Sequence, residues 1–223
     1  MANGRISTVV AHRWRFFRRY LIDPTTVGAV GPSSRALAAA LCAPLQRCTR
    51  PVRILEVGAG TGAVTGHLGT IIKENDKLDI CEVSAEFAEI LARDVLTRSD
   101  LATAVARGRV RLLNVSVQSL TDDESYDFVI SGLPFTAFPL RDVHDVFKVI
   151  RRCLRPGGTF SYFEYVALRN VSTMLAVGRG RRRRRLVSAY LSEQIAKHQI
   201  DRRIVVANLP PAHVRHLRFD SDG

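Results

Sequence analysis

The feature that most constrains this chain is a glycine-rich turn between a strand-like and a helix-like segment. The apolar run VRILEV (52–57) leads into GAGTG (58–62), and AVTGHLGTIIK (63–73) continues with a helical pattern. Glycines in such a turn adopt positive φ and let the backbone approach a ligand closely. A strand, a glycine turn and a helix in that order form the context of a nucleotide-binding loop. The turn therefore predicts an α/β domain with its ligand at the carboxyl end of the first strand.

Strand-like and helix-like segments alternate along the rest of the chain. KLDICEV, RVRLLNVSV, YDFVISGLP and TFSYFEYV predict further strands, and SAEFAEILARDVLTRSDL and LRDVHDVFKVIRRCL predict helices between them. Residues from about 168 to 200 predict a helix broken by an arginine run, and RRIVVANLPPAHVRHLRF predicts a closing hairpin around Pro210-Pro211. This alternation indicates βαβ units, and hence a mostly parallel sheet with helices on both faces.

Length and composition fit one globular domain. The chain has 223 residues, 46% of them hydrophobic, which is enough for a sizeable core. The 4 cysteines lie far apart without a CxxC pair, so we expect neither a disulfide framework nor a metal site. No apolar stretch approaches the roughly 20 residues that span a bilayer, and we expect a cytoplasmic protein. Residues 1–30 are predicted to form a separate helix and lead-in, and residues 31–223 the α/β domain.

Positive charge is concentrated in two segments. The net charge is +12, and residues 1–22 carry five arginines and no acid. Arg179 and Arg181–Arg185 add six more, which leaves 22 basic against 21 acidic residues elsewhere. Two local cationic patches suit an extended polyanion or an anionic membrane surface. For the arginine run, a solvated loop and an RNA-binding surface remain alternatives.

The first segment has the pattern of an amphipathic helix. Trp14 and Phe17 belong to its apolar face, Arg18 belongs to the opposite face, and Arg13 intrudes on the apolar one. Aromatic bulk on one face and arginines on the other are typical of a helix that lies in a lipid interface. A terminal helix packed on its own domain is the alternative. RNA-binding modules more often expose aromatic residues on a sheet, so the pattern favours a membrane.

Two acids flank the glycine turn. Glu82 ends the second strand, where a carboxylate can accept both hydroxyls of a ribose. Glu56 lies two residues before the first glycine, and it suits a ligand that carries an ammonium group, as S-adenosylmethionine does. A pyrophosphate would be repelled there. The G-x-G-x-x-A spacing of the turn also matches the dinucleotide fingerprint, so a nicotinamide or flavin enzyme remains an alternative.

The sequence E-V-G-A-G-T-G, together with Glu82, resembles the class I S-adenosylmethionine-dependent methyltransferases. Their Rossmann-like sheet has seven strands, of which the last is antiparallel. The segments FFRRYLIDPTTVGAVGPSSRAL (16–37), SGLPF (131–135) and NLPPA (208–212) resemble more narrowly the bacterial phospholipid N-methyltransferases, which act on phosphatidylethanolamine, and their relatives that act on ornithine lipids. The resemblance implies S-adenosylmethionine as cofactor, S-adenosylhomocysteine as product and an aminolipid as acceptor.

The resemblance assigns the cofactor contacts residue by residue. The methionine part is assigned to Glu56, Gly58, Ala59, Gly60, Thr61 and Gly62, the ribose to Glu82, and the flanks of the site to Val83 and Ser131. Asn114-Val115-Ser116 stands where many methyltransferases have Gly-Asp-Ala, so the aspartate that contacts the adenine amine is absent. A contact from Val115 or Ser116 is expected to replace it.

The SGLPF turn is expected to border the transferred methyl group. Gly132 holds the position where base N-methyltransferases carry Asn, Asp or Ser, which favours an aliphatic amine over a nucleobase. Leu133, Pro134 and Phe135, with Phe138, predict an apolar wall, and aromatic faces stabilise ammonium groups. An RNA methyltransferase of the ribosomal adenine type, a small-molecule methyltransferase and a catalytically silent lipid- or RNA-binding module remain alternatives.

Methylation of a protonated amine requires that a proton leaves first. The candidate bases are Tyr20, Glu164, Tyr165 and His144, with Tyr20 preferred. His213 and Arg215 are expected to reach a headgroup phosphate, because arginine forms paired hydrogen bonds with phosphate. The predicted partners are an anionic membrane surface, at the inner face of the cytoplasmic membrane, and the aminolipid. No obligatory protein partner is predicted, and nucleic acid is less favoured.

Overall fold

A computed structural model describes residues 35–121, 123–166, 179–208 and 210–219. The predicted N-terminal helix, with the membrane residues Arg13, Trp14, Phe17 and Arg18 and the preferred base Tyr20, lies outside these ranges. Those predictions and the boundary between residues 1–30 and 31–223 stay predictions.

The described part contains six α-helices and seven strands. In chain order they are α1 (Arg35–Gln46), β1 (Arg53–Val57), α2 (Ala63–Ile71), β2 (Lys77–Cys81), α3 (Ala85–Ile90), α4 (Ser99–Ala106), β3 (Val110–Leu113), β4 (Tyr126–Ser131), α5 (Leu140–Cys153), β5 (Leu154–Tyr165), α6 (Arg179–His198), β6 (Gln199–Val205) and β7 (Ala212–Arg218). A π-helical turn (Leu91–Val95) and two 3₁₀ turns (Val117–Ser119 and Phe135–Ala137) complete the set.

The strands form one sheet in the order β3-β2-β1-β4-β5-β7-β6. All pairs from β3 to β5 are parallel, whereas β7 is antiparallel to both β5 and β6. The predicted closing hairpin is therefore confirmed, and β6 runs in the same direction as β5. The carboxyl ends of β1, β2, β4, β5 and β6 consequently meet at one edge, which we call the carboxyl edge.

Helices cover both faces of the sheet. α1, α2 and α4 pack on one face with Leu41, Leu68 and Leu101 in the core, and α5 and α6 pack on the other with Phe147 and Leu191. Strands buried on both faces read as continuous apolar runs, which is why VRILEV and YDFVIS show no alternation. The predicted helices on both faces of a Rossmann-like sheet are confirmed.

The helix predicted after β2 is interrupted. α3 passes into the π turn, in which the Leu96 amide donates to the Leu91 carbonyl, and the extended Arg98 then separates it from α4. A Cβ at Gly62 would lie 2.8 Å from both Leu91 and Val95. The π turn thus packs directly against the glycine loop, and this long-range contact leaves no periodic signal in the sequence.

Two further boundaries differ from the prediction. β5 begins at Leu154, before the expected Thr159, and includes the RPGG segment with a register irregularity opposite β4. The arginine run does not break a helix, since α6 extends from Arg179 through it to His198. Arginine has a good helix propensity, so a run of arginines can continue a helix. Within the ranges given above, no helix is long and apolar enough to cross a bilayer.

Candidate active site

The carboxyl edge holds a small pocket between the loops that follow β1, β2 and β3. Its walls are formed by Val57, Gly58, Cys81, Glu82, Val83, Val115 and Val117. The loops are tied together by backbone hydrogen bonds, in which the Gly58 amide donates to the Cys81 carbonyl and the Glu82 amide to the Leu113 carbonyl. This is the edge at which open α/β sheets bind their ligands.

The glycine loop has the backbone conformation that its sequence predicts. Gly58, Gly60 and Gly62 have φ of 70°, 56° and 86°, which L side chains rarely adopt. Gly62 caps α2 in this left-handed conformation. Ala59 and Thr61 stand between the glycines, so the five residues form one continuous turn over the end of β1.

Glu56 is buried beneath this loop, with 1% of its surface exposed. Its Oε2 accepts a hydrogen bond of 2.8 Å from the Thr65 hydroxyl, whereas its Oε1 has no partner among the described residues. Burial raises the pKa of Glu56 to about 8, and the nearby Glu82 adds to the effect. An unsatisfied carboxylate oxygen at this depth favours a cationic or hydrogen-bond-donating ligand.

Glu82 turns its carboxylate into the same loop. Oε2 accepts from the Gly60 amide and Oε1 from the Ser84 amide, both at 2.8 Å. Burial raises the pKa of Glu82, although these backbone hydrogen bonds oppose the rise. A carboxylate has about four acceptor positions, so both oxygens can still accept hydroxyl groups.

The turn after β4 is held against the glycine loop. The Gly132 amide donates to the Val57 carbonyl at 2.9 Å, and a Cβ at position 132 would lie 2.4 Å from the Gly58 carbonyl oxygen. Any side chain at position 132 would therefore displace the loop. Ser131 is buried, and its hydroxyl accepts a hydrogen bond from the Leu133 amide, so it shapes the turn.

The residues of the predicted apolar wall have different surroundings. Leu133 and Phe135 are buried in the core on the α5 and α6 face, where Phe135 meets the rings of Phe147, Phe160 and Tyr162 edge-on. They support the turn from below. Pro134 is also buried, whereas Phe138 is partly exposed.

Glu164 and Tyr165, two of the candidate bases, point to opposite faces of β5. Tyr165 packs against Phe163 on the α1 side, whereas Glu164 accepts a hydrogen bond of 3.3 Å from the Tyr162 hydroxyl on the other side. Successive residues of a strand alternate between faces, so the two cannot act at one point. Since Ser131 and the SGLPF turn share the face of Glu164, only Glu164 lies on their side of the sheet.

His213 and Arg215 share that face with Glu164. His213 is the direct cross-strand neighbour of Glu164, and Arg215 is that of Tyr162. Arg215 is buried and donates to Gln199 at 2.8 Å. The third candidate, His144, is exposed on α5, with its ring 4.1 Å from that of Tyr190.

Sequence reasoning missed Thr65, which supports Glu56, and Cys81, which lines the pocket. Thr65 lies one helical turn into α2 and holds Glu56 through its hydroxyl. Cys81 ends β2, lines the pocket and donates its thiol to the Val115 carbonyl at 3.3 Å. Burial raises the pKa of Cys81 to about 12, so its thiol stays protonated at neutral pH. Their position at the end of β2 and on the first turn of α2 is the only signal that could have found them.

Comparison with known proteins decides which ligand this edge holds. Residues 54–158 match the family model described as a methyltransferase domain. The relative named ornithine lipid N-methyltransferase from Singulisphaera acidiphila is 29% identical over 146 residues, which cover 66% of this chain and 74% of the relative. Both matches support the class I S-adenosylmethionine-dependent methyltransferases as the family of this chain.

Solved structures agree with the methyltransferase fold. The 1,6-didemethyltoxoflavin-N1-methyltransferase of Burkholderia thailandensis, crystallised with its substrate and S-adenosylhomocysteine, superposes with a TM-score of 0.60 at 17% identity, over 99% of this chain and 92% of that one. A methyltransferase from Aquifex aeolicus gives 0.54 at 15% identity, over 84% and 93%. The predicted seven-stranded methyltransferase fold is confirmed.

The cofactor of this methyltransferase is S-adenosylmethionine, and its product is S-adenosylhomocysteine. The residues at this edge fit that cofactor, because the buried Oε1 of Glu56 has no hydrogen-bond donor among the described residues and Glu82 can accept from ribose hydroxyls. The assignments of individual residues to parts of the cofactor all stay predictions. Among the described residues no cluster of metal-ligating side chains occurs.

Proposed function

We propose that this methyltransferase N-methylates the amine of an aminolipid headgroup at an anionic membrane surface. The observation that carries the proposal is the group formed by Glu164, His213 and Arg215, which share one face of the sheet near the carboxyl edge. A carboxylate beside basic side chains suits a zwitterionic headgroup, with its amine toward Glu164 and its phosphate or carboxylate toward Arg215. The name of the Singulisphaera relative supports the same class of acceptor.

Gly132 also supports an aliphatic amine. No side chain fits between the turn after β4 and the Gly58 carbonyl, so position 132 offers no side-chain acceptor for a nucleobase amine. Phe138 is partly exposed next to that turn, and an aromatic face there can contact a cationic amine.

The start of α6 supports a membrane partner. α6 leads into β6, which runs toward the carboxyl edge, and α6 contacts the 3₁₀ turn that follows the end of β4. The arginine run therefore lies toward the carboxyl edge of the sheet. Arg182 and Arg185 are exposed, the first helical turn has no acid, and Leu186 next to them is 48% exposed. Arginines with an adjacent exposed apolar side chain suit a surface of anionic lipid.

The bound cofactor supplies a methyl group activated on a sulfonium. This chain's residues have to align the amine with that methyl, exclude water and remove a proton from the amine. Glu164 is the described residue that suits proton removal, because the Tyr162 hydroxyl holds its Oε1 in place. Tyr20, outside the described ranges, remains the second candidate.

A label-transfer experiment tests the proposal. The protein is incubated with methyl-labelled S-adenosylmethionine and, in parallel, with phosphatidylethanolamine vesicles, ornithine-lipid vesicles and total RNA. Label in the organic extract supports an aminolipid acceptor and identifies it. Label in RNA alone overturns the proposal, and so does the absence of label in every arm when S-adenosylhomocysteine binding is intact.

Two variants test the residues. Glu164→Gln is expected to lower kcat on the preferred lipid about 100-fold, as loss of a general base does, with unchanged S-adenosylhomocysteine affinity. Arg182→Glu/Arg185→Glu is expected to reduce binding to anionic vesicles at least 10-fold. The matched control Lys77→Glu/Lys148→Glu makes the same charge change at exposed positions away from that edge and should change binding less than twofold. Equal losses in both pairs would contradict docking through α6.

A further inference from the structure

The wall of the cofactor pocket beyond Glu82 is aliphatic. Val83, Val115 and Val117 line it, and Val115 is 39% exposed at the rim. A purine attached to a ribose at Glu82 meets these side chains. Valine side chains can contact the faces of a purine ring but cannot accept a hydrogen bond from its exocyclic amine.

Two carbonyl groups and one hydroxyl group of the same loop already have hydrogen-bond partners within the protein. The Val115 carbonyl accepts from the Cys81 thiol at 3.3 Å, and the Ser116 carbonyl accepts from the Ser119 amide at 2.9 Å and hydroxyl at 2.7 Å. The Ser116 hydroxyl donates to the Gln118 side chain. Ser116 is also absent from the walls of the pocket, whereas Val115 and Val117 on either side of it line the pocket.

Asn114 has a structural partner as well. Its side-chain amide donates to the Glu82 carbonyl at 2.8 Å and so joins the ends of β2 and β3. The residue that begins this loop therefore fixes the position of Glu82 for the ribose. Its contacts leave recognition of the base to the valines.

We propose that this methyltransferase recognises the adenine ring of its cofactor through apolar contact with its faces and does not read the 6-amino group, with Val115 as the residue that sets this tolerance. Binding free energy then comes from the ribose, the amino-acid part and the ring faces. The enzyme should consequently accept cofactor analogues altered at the purine 6-position. The inference concerns the cofactor alone and does not depend on which acceptor is methylated.

Binding of two ligands tests this inference without any turnover. Isothermal titration compares S-adenosylhomocysteine with its 6-deamino analogue, in which purine replaces adenine and N1 remains an acceptor. The wild-type protein is expected to bind the two within about threefold. Val115→Asp introduces an acceptor at the rim and is expected to favour S-adenosylhomocysteine at least 10-fold, since a hydrogen bond to a charged group contributes a factor of about 10 to 100.

Val115→Ala is the matched control, because it also removes the valine but adds no acceptor. It should weaken both ligands equally. A wild-type preference above 10-fold for the adenine ligand would overturn the proposal, and its loss in Ser116→Ala would assign the reading to that hydroxyl. Failure of Val115→Asp to discriminate, while it still binds both ligands, would overturn the role of position 115.

Discussion

The buried acids at the two ends of the sheet differ in their hydrogen-bond partners and in the direction of their pKa shifts. In the amino half, the Asp79 carboxylate accepts hydrogen bonds from Arg111, Arg53 and the Tyr126 hydroxyl, and these partners lower the pKa of Asp79. At the carboxyl edge, Glu56 has one oxygen without a partner among the described residues, and burial raises its pKa to about 8. Acids that stabilise the fold are satisfied within it, whereas acids kept for a ligand are left incomplete.

Asp127 repeats the pattern of the amino half. Its carboxylate accepts from the Arg53 amide at 2.7 Å and from the Arg50 guanidinium at 2.6 Å, with Arg155 at 3.2 Å. These contacts lower its pKa. Glu82 repeats the pattern of the carboxyl edge, since burial raises its pKa in spite of two backbone donors.

The largest expected effect comes from breaking the satisfied end. Asp79→Ala should lower the free energy of unfolding by about 3 kcal/mol at pH 7, because it leaves Arg53 and the Tyr126 hydroxyl without their buried acceptor. Urea denaturation measures it. Asp94→Ala removes an exposed acid that pairs only with its neighbour Arg93, and it should change the midpoint very little. A comparable loss of unfolding free energy in the two variants would show that the buried network around Asp79 stabilises the fold no more than an exposed ion pair does.

The opposite sign is expected at the carboxyl edge. The folded-state pKa of Glu56 lies above its unfolded value of about 4.3, so its contribution to stability is full below that pH and disappears as pH rises through about 8. Glu56→Gln places a neutral side chain there that does not ionise, so the variant does not lose this stability as pH rises. At pH 7 the variant without ligand should unfold with about 2 kcal/mol more free energy than the wild type.

The same variant should bind S-adenosylhomocysteine at least 10-fold more weakly, because a glutamine cannot ionise to supply the negative charge that pairs with the ligand's ammonium. Denaturation and calorimetry measure the two effects, with Glu89→Gln on the exposed face of α3 as the control. If Glu56→Gln were less stable than the wild type and bound S-adenosylhomocysteine equally well, Glu56 would be an acid that stabilises the fold, like those in the amino half.

The smallest effect separates the two ends by pH. The lowered pKa of Asp127 means that its contribution is present above the unfolded value of about 3.9 and is lost as pH falls through the folded value. Asp127→Asn should therefore lower stability by about 1 kcal/mol at pH 7 and by progressively less as pH falls from the unfolded value through the folded value. Thermal midpoints between pH 3 and pH 7 would show the two curves converge on the acid side. Parallel curves would mean that the charge of Asp127 is not what matters.

The acids at the carboxyl edge could be predicted because each has a local signal. Glu56 precedes a glycine turn and Glu82 ends the next strand, and the topology of a parallel sheet brings such positions together. The antiparallel last strand of a seven-stranded sheet followed from the family resemblance, and the parallel pairing of the other strands followed from the alternation of elements. The partners of Asp79 and Asp127 could not be found in this way, because they come from the loop before β1 and from β1, β3, β4 and β5 with no fixed spacing.

Other parts of the site depended on packing between distant segments. No sequence pattern near Leu91 predicts a π turn, because the turn forms where the helix packs against Gly62. The two-residue period of a strand predicts opposite orientations for Glu164 and Tyr165, and the prediction of both residues as bases overlooked this alternation. The burial of Phe135 among aromatic rings required the positions of Phe147 and Phe160.

The contact between Gly132 and the Gly58 carbonyl also limits how this enzyme can be redesigned. Changing acceptor preference by placing a polar side chain at position 132 would push the glycine loop away from Glu56 and Glu82, so selectivity and cofactor retention would be traded against each other. Libraries directed at new acceptors should therefore hold residues 58 and 132 constant. Diversity belongs at Phe138 and at His213, where a changed side chain leaves that backbone contact and the proposed base Glu164 intact.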